Sequence, residues 1–187
     1  MKYHFRHLGL LVVLMGVFVA VQSIFGHHQA ASTNASSSAT VGFTQTGTCH
    51  SVNDLPDAGC TPGAADPRVT QDNIQTTICQ SGYSATVRPS TSVTNPIKIE
   101  RMTAYGATGS KADYELDHLV SLEIGGAPAD PKNLWPEPYD GSEGARTKDK
   151  IENRLHTLVC NGTISLTEAQ TAIAKDWKQA YDMYSAK

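Results

Sequence analysis

Tyr114-Glu115-Leu116-Asp117-His118-Leu119-Val120-Ser121-Leu122-Glu123-Ile124-Gly125-Gly126, followed by Asn133-Leu134-Trp135-Pro136, decides how this chain folds. The first segment alternates apolar and polar residues in places and halts at two glycines, so it reads as one or two short strands. Ala127-Pro128-Ala129-Asp130-Pro131-Lys132 carries turn chemistry, and Asn133-Leu134-Trp135 reads as a returning antiparallel strand that Pro136 and Pro138 end. Ile151, Leu155, Leu158 and Val159 recur at helical spacing, which predicts a helix over about 145–159. Strand, glycine turn, strand and helix together gather Asp117, His118 and Asn133. A carboxylate, an imidazole and an amide in one place suit one divalent metal and one water molecule.

Outward from this centre the signals are more ordinary. Val69 to Cys79 fits neither period, and Tyr83 to Val87 reads as a short strand that ends at Arg88-Pro89. Thr94-Asn95-Pro96 opens a helix through Ile97, Ile99, Met102 and Tyr105, with Pro96 in the first turn and Gly106 as the stop. Ser165-Leu166-Thr167-Glu168 has the form of a capping box. It starts a last helix whose Ala169, Ile173, Trp177, Ala180 and Tyr184 make one packing stripe. The class is α+β, a small single domain. Trp135 and Trp177 read as core residues, and Glu123 as a structural acid pairing with Arg101 or Lys98.

At the N-terminus, Lys2 and Arg6 precede an apolar run from Leu8 to Phe25, the layout of a secretory signal peptide. The run approaches bilayer length, so an uncleaved N-terminal anchor is the alternative. Residues 1–31 are therefore read as signal peptide or anchor, 32–48 as a flexible Ser/Thr/Ala linker, and 49–187 as the domain. Removing the signal leaves 13 Lys and Arg against 18 Asp and Glu, a formal charge of −5. Such a chain has no long-range attraction for polyanions, so any contact with nucleic acid is local. Four cysteines in an exported chain favour disulfides and allow three pairings, of which Cys49 with Cys60 and Cys79 with Cys160 is preferred.

Leu116-Asp117-His118-Leu119-Val120-Ser121-Leu122-Glu123, Gly125-Gly126 and Asn133-Leu134 resemble the core of the HNH endonucleases, whose fold is the ββα-metal motif of the His-Me finger superfamily. Exported bacterial HNH-like proteins also combine such segments with Asn-Leu-Trp-Pro, here Asn133 to Pro136, and with a Lys-Asp-x-x-Glu helix, here Lys148-Asp149-Lys150-Ile151-Glu152. The resemblance implies a secreted, metal-dependent endonuclease without sequence specificity. In that reading His118 is the general base, and Asp117 holds a divalent ion, Mg²⁺ or Mn²⁺. Asn133 either binds the metal or fixes the imidazole. DNA or RNA is the implied substrate, and a monomer with no membrane partner beyond the N-terminal segment is expected.

The third corner of the site departs from that pattern. Positions where an HNH helix offers His or Asn are Gly141 and Ser142, and no Cys pair for zinc is present. On a helical wheel Lys148 and Glu152 border the apolar stripe, while Asp149 lies further round. Glu152 is therefore the first choice for completing the metal site, Lys148 for contacting phosphate, and Asp149 a lesser candidate. The same three residues also make an ordinary solvated helix face. The second functional reading is a non-catalytic exported or cell-surface binding module that keeps the HNH-like scaffold.

Overall fold

A two-stranded antiparallel ribbon carries the centre of the chain in the computed structural model, which describes residues 41–44, 46–139 and 144–185. Strand β1, Tyr114–His118, pairs with β2, Leu134–Pro138, so that Glu115 faces Glu137 and Asp117 faces Trp135. Because side chains alternate along a strand, Glu115, Asp117, Trp135 and Glu137 share one face of the ribbon. Pro136 lies inside β2 instead of ending it. A two-stranded ribbon has an open edge on each strand, where a missing N–H breaks no ladder.

The strand pattern stops at His118. Leu122–Ile124 is a 3-10 turn that ends at Gly125 with φ of 77°, and Gly126 then passes against the Val120 carbonyl. A Cβ at Gly126 would lie 1.7 Å from that oxygen, so the second glycine of the pair is there for a close approach of two backbones.

The described residues also form four α-helices: α1, Tyr83–Val87; α2, Thr91–Ala104; α3, Ala145–Cys160; and α4, Leu166–Tyr184. The strand expected at Tyr83–Val87 is helix α1. With no neighbouring strand to pair with, the segment satisfies its backbone within one local turn. The undecided stretch 69–79 contains a 3-10 helix, Gln71–Thr76. Helix α2 starts three residues before the expected Thr94, so Pro96 sits in its second turn.

Helices α3 and α4 pack on each other and on the 3-10 turn, and the predicted stripes of both are buried. Ser165 caps α4 by accepting from the Glu168 N–H at 3.1 Å, but the Glu168 carboxylate accepts from the Tyr184 hydroxyl instead of returning to the cap. Asp176 breaks the helix geometry of α4, and its Oδ1 recaps the N–H groups of Lys178 and Gln179.

A second, smaller cluster is built from Cys49, Tyr105 and Trp135 with Phe43 against them. Phe43 also bridges to Ala107 and lies 6.0 Å from the Tyr114 ring. The linker expected over 32–48 therefore does not reach 48, since its last residues contain the aromatic group that closes this cluster. The expected signal or anchor at 1–31, linker residues 32–40, and Gly141 and Ser142 lie outside the described residues.

Cys49 pairs with Cys60 and Cys79 with Cys160, as preferred from the sequence. The two bridges indicate an oxidising, extracytoplasmic environment. Among the described residues no helix is long and apolar enough to cross a membrane.

Candidate functional site

The acidic face of the ribbon meets helix α3 at Lys148. This side chain is 1% exposed, although the sequence placed it where it would contact phosphate. Its ammonium lies 2.8 Å from Asp117 Oδ2, donates to the His118 carbonyl at 2.8 Å and donates to Glu152 Oε1. An ammonium has three donors, and three acceptors take them. Burial opposes the charge on Lys148, but Asp117, Glu152 and Glu137 outweigh it and hold its pKa above the ordinary lysine value. The expectation of a phosphate contact is thus corrected: α3 turns this position inward, beside the buried Ile151 and Ala145.

Asp117 also accepts from the Trp135 indole N–H at 3.2 Å. Glu152 is the helix residue that joins the cluster, as the wheel placed it, and it does so through Lys148. Burial raises the Glu152 acid to about 7, with Lys148 pulling the other way. Asp149 is exposed and makes no ion pair with the cluster.

Glu137, which sequence reasoning missed, is 1% exposed and has no hydrogen-bond partner on either carboxyl oxygen among the described residues. Burial, then the neighbouring Asp117, raises its pKa to about 10, so it is a neutral acid at neutral pH. The signal that finds it is the strand register: it faces Glu115 and shares a side of the ribbon with Asp117. Glu123, by contrast, pairs with neither expected partner. Arg101 stacks over Tyr105 and reaches Glu100 and Thr61, and Lys98 donates to the Tyr114 carbonyl.

His118 lies next to Asp117 in sequence but turns to other partners. Its Nε2 is 2.9 Å from the Pro128 carbonyl oxygen. A carbonyl only accepts, so Nε2 carries the proton and Nδ1 keeps its lone pair. Burial holds the His118 pKa below the ordinary value against the opposing pulls of Pro128 and Asp117, and the ring is neutral at neutral pH. What the fold supplies here is a neutral imidazole of fixed tautomer at the end of a strand.

Asn133 is fully buried, and its amide serves the backbone. Oδ1 accepts from the Val120 N–H at 2.9 Å, while Nδ2 donates to the carbonyls of Val120 at 2.9 Å and Ala127 at 3.1 Å. The amide engages neither the imidazole nor the carboxylate cluster; it pins the loop between the strands. The side chains of Asp117, His118 and Asn133 therefore have three separate sets of partners.

No family model, no curated protein and no solved structure matches this chain.

The residues present do not fit the divalent ion that the HNH resemblance implies on Asp117, Asn133 and Glu152. The Asn133 amide is taken up by main chain, and Asp117 and Glu152 hold an ammonium. Among the described residues no group of three or more His, Cys, Asp or Glu is arranged to share an ion.

Proposed function

We propose that this chain is an exported hydrolase of nucleic-acid phosphodiesters in which His118 is the general base. The observation that carries the reading is the His118 ring itself: Nε2–H is tied to the Pro128 carbonyl, and Nδ1 is left as the proton acceptor. A base must be unprotonated at working pH and held in one tautomer, and burial and the carbonyl supply these two conditions. In this reading Nδ1 takes the proton from a water, or from a ribose 2′-hydroxyl, as that oxygen bonds to phosphorus, while the P–O bond to the departing ribose oxygen breaks and that oxygen takes a proton from solvent water. Lys148 holds Asp117 and the His118 carbonyl in place from behind, and Asn133 holds the loop that carries Pro128 through the Ala127 carbonyl. A ribbon followed by α3 is the element order that the HNH-like resemblance implies, the two disulfides fit export, and the resemblance points to DNA or RNA as substrate.

The second reading is a binding module on the same scaffold, and one observation favours it. Asp117 and Glu152, the carboxylates that the resemblance assigns to a metal, both hold the buried Lys148 ammonium, a structural contact that activates no water.

The test incubates the mature protein with plasmid DNA and with RNA, in Mg²⁺, in Mn²⁺ and in chelator, beside His118→Ala and His118→Gln. The expected result is cleavage that falls by about 100-fold or more in both variants, the typical contribution of a general base, with their circular dichroism unchanged. Cleavage that survives both substitutions removes His118 from the chemistry. If no condition gives cleavage while labelled oligonucleotides still bind by fluorescence polarisation, the chain is the binding module.

A further inference from the structure

Oxygen donors gathered round a positive charge describe a hard-cation site, and here the charge belongs to the chain itself. Asp117 Oδ2 and the His118 carbonyl oxygen each lie 2.8 Å from the Lys148 ammonium, and Glu152 Oε1 completes its hydrogen bonding. The Lys148 side chain is 1% exposed, so it has no solvated position to which an incoming ion could push it without opening the contact between α3 and the ribbon. An ion entering beside it would place two cations in one buried space, where repulsion is screened far less than at the surface.

We propose that Lys148 is the permanent cation of this site, standing where a divalent ion would otherwise be bound, and that the intact protein takes up no metal at Asp117 and Glu152. The arrangement differs in kind from a metal centre. A lysine brings one charge, three donors and no exchangeable ligand position, so it fixes Asp117 and the end of β1 but activates no water. Any chemistry at His118 then proceeds without an ion at these carboxylates.

The ammonium can be observed directly, without turnover, so this inference and the hydrolase reading fail separately. In the mature protein labelled with ¹⁵N-lysine, Lys148 is expected to give one ¹⁵NH₃⁺ resonance protected from hydrogen exchange at neutral pH, assigned by its loss in Lys148→Arg. Excess Mg²⁺ should leave its shift unchanged, and stoichiometric Mn²⁺ should leave it unbroadened. A saturable Mg²⁺ shift, paramagnetic loss of the signal at one equivalent of Mn²⁺, or the absence of any protected lysine resonance would overturn the proposal. The wild-type titration decides the question even where Lys148→Arg fails to fold, because Asp117→Asn, which removes an acceptor of the same ammonium, then serves for assignment through the shift it causes.

Discussion

Asn133 makes the point that residue type and residue role are read from different sources. An amide just after Asp130-Pro131 is legible in the sequence as either a turn former or a ligand. What decides between them is which backbone groups nearby lack a partner. The 3-10 turn after β1 leaves the N–H and C=O of Val120 outside any strand ladder, and an amide is the side chain with a donor and an acceptor to give them. Asn133→Ala orphans a buried N–H and removes the donor to two buried carbonyls. Each such group costs about 1–3 kcal/mol, and the expected loss is at least about 3 kcal/mol in total. Urea unfolding reads it as a lower midpoint with an unchanged slope. A loss under about 1 kcal/mol would mean that the loop finds other partners and that Asn133 does not hold it.

Along elements, the sequence placed α3 and its buried stripe correctly, and it put Lys148 and Glu152 at the stripe's edge. That the two bind each other instead of a substrate follows from the ribbon face opposite them, and the register creating that face is not visible in hydrophobic pattern alone. Glu137 went unread because it lies between Pro136 and Pro138, which the sequence reads as ending the strand. Its position has a consequence for stability against pH. The ordinary value for this acid is 4.5, and in the fold it is raised to about 10. The folded protein thus keeps a proton that the unfolded chain gives up above pH 4.5. The stabilisation this brings is whole below that pH and is lost as pH rises toward about 10. Glu137→Gln preserves the shape of the neutral acid and removes the titration. Its unfolding midpoint is expected to fall less steeply than that of the wild type between these limits, and to exceed it on the alkaline side. Parallel curves for the two proteins in urea melts across this range would show that Glu137 ionises as freely in the fold as out of it. Glu152, raised to about 7, titrates within the same window in both proteins, so only the difference between the curves belongs to Glu137.

For the molecule as a whole, an exported α+β domain with two bridges was legible because cysteine number and helix patterning are local properties. Its N-terminal edge was not. Composition made residues up to 48 look like linker, whereas one aromatic side chain, Phe43, completes a cluster with Tyr105, Trp135 and the Cys49–Cys60 bridge. The other bridge, Cys79–Cys160, spans 81 residues and ties the stretch just after the Gln71–Thr76 helix to the last residue of α3, beside the main core. Chain entropy gives a loop of that length a stabilisation of about 4.5 kcal/mol, against about 3 kcal/mol for the 11-residue span of Cys49–Cys60. Near the long bridge the His156 ring of α3 also meets the Ile78 carbonyl at 2.9 Å. Removing the long bridge as Cys79→Ser/Cys160→Ser is therefore expected to lower the thermal midpoint more than removing the short one as Cys49→Ser/Cys60→Ser. Calorimetry of the two double variants checks the order. A larger loss from the short bridge would place the stability of this domain in the aromatic cluster around Trp135 instead of in the α3–α4 core.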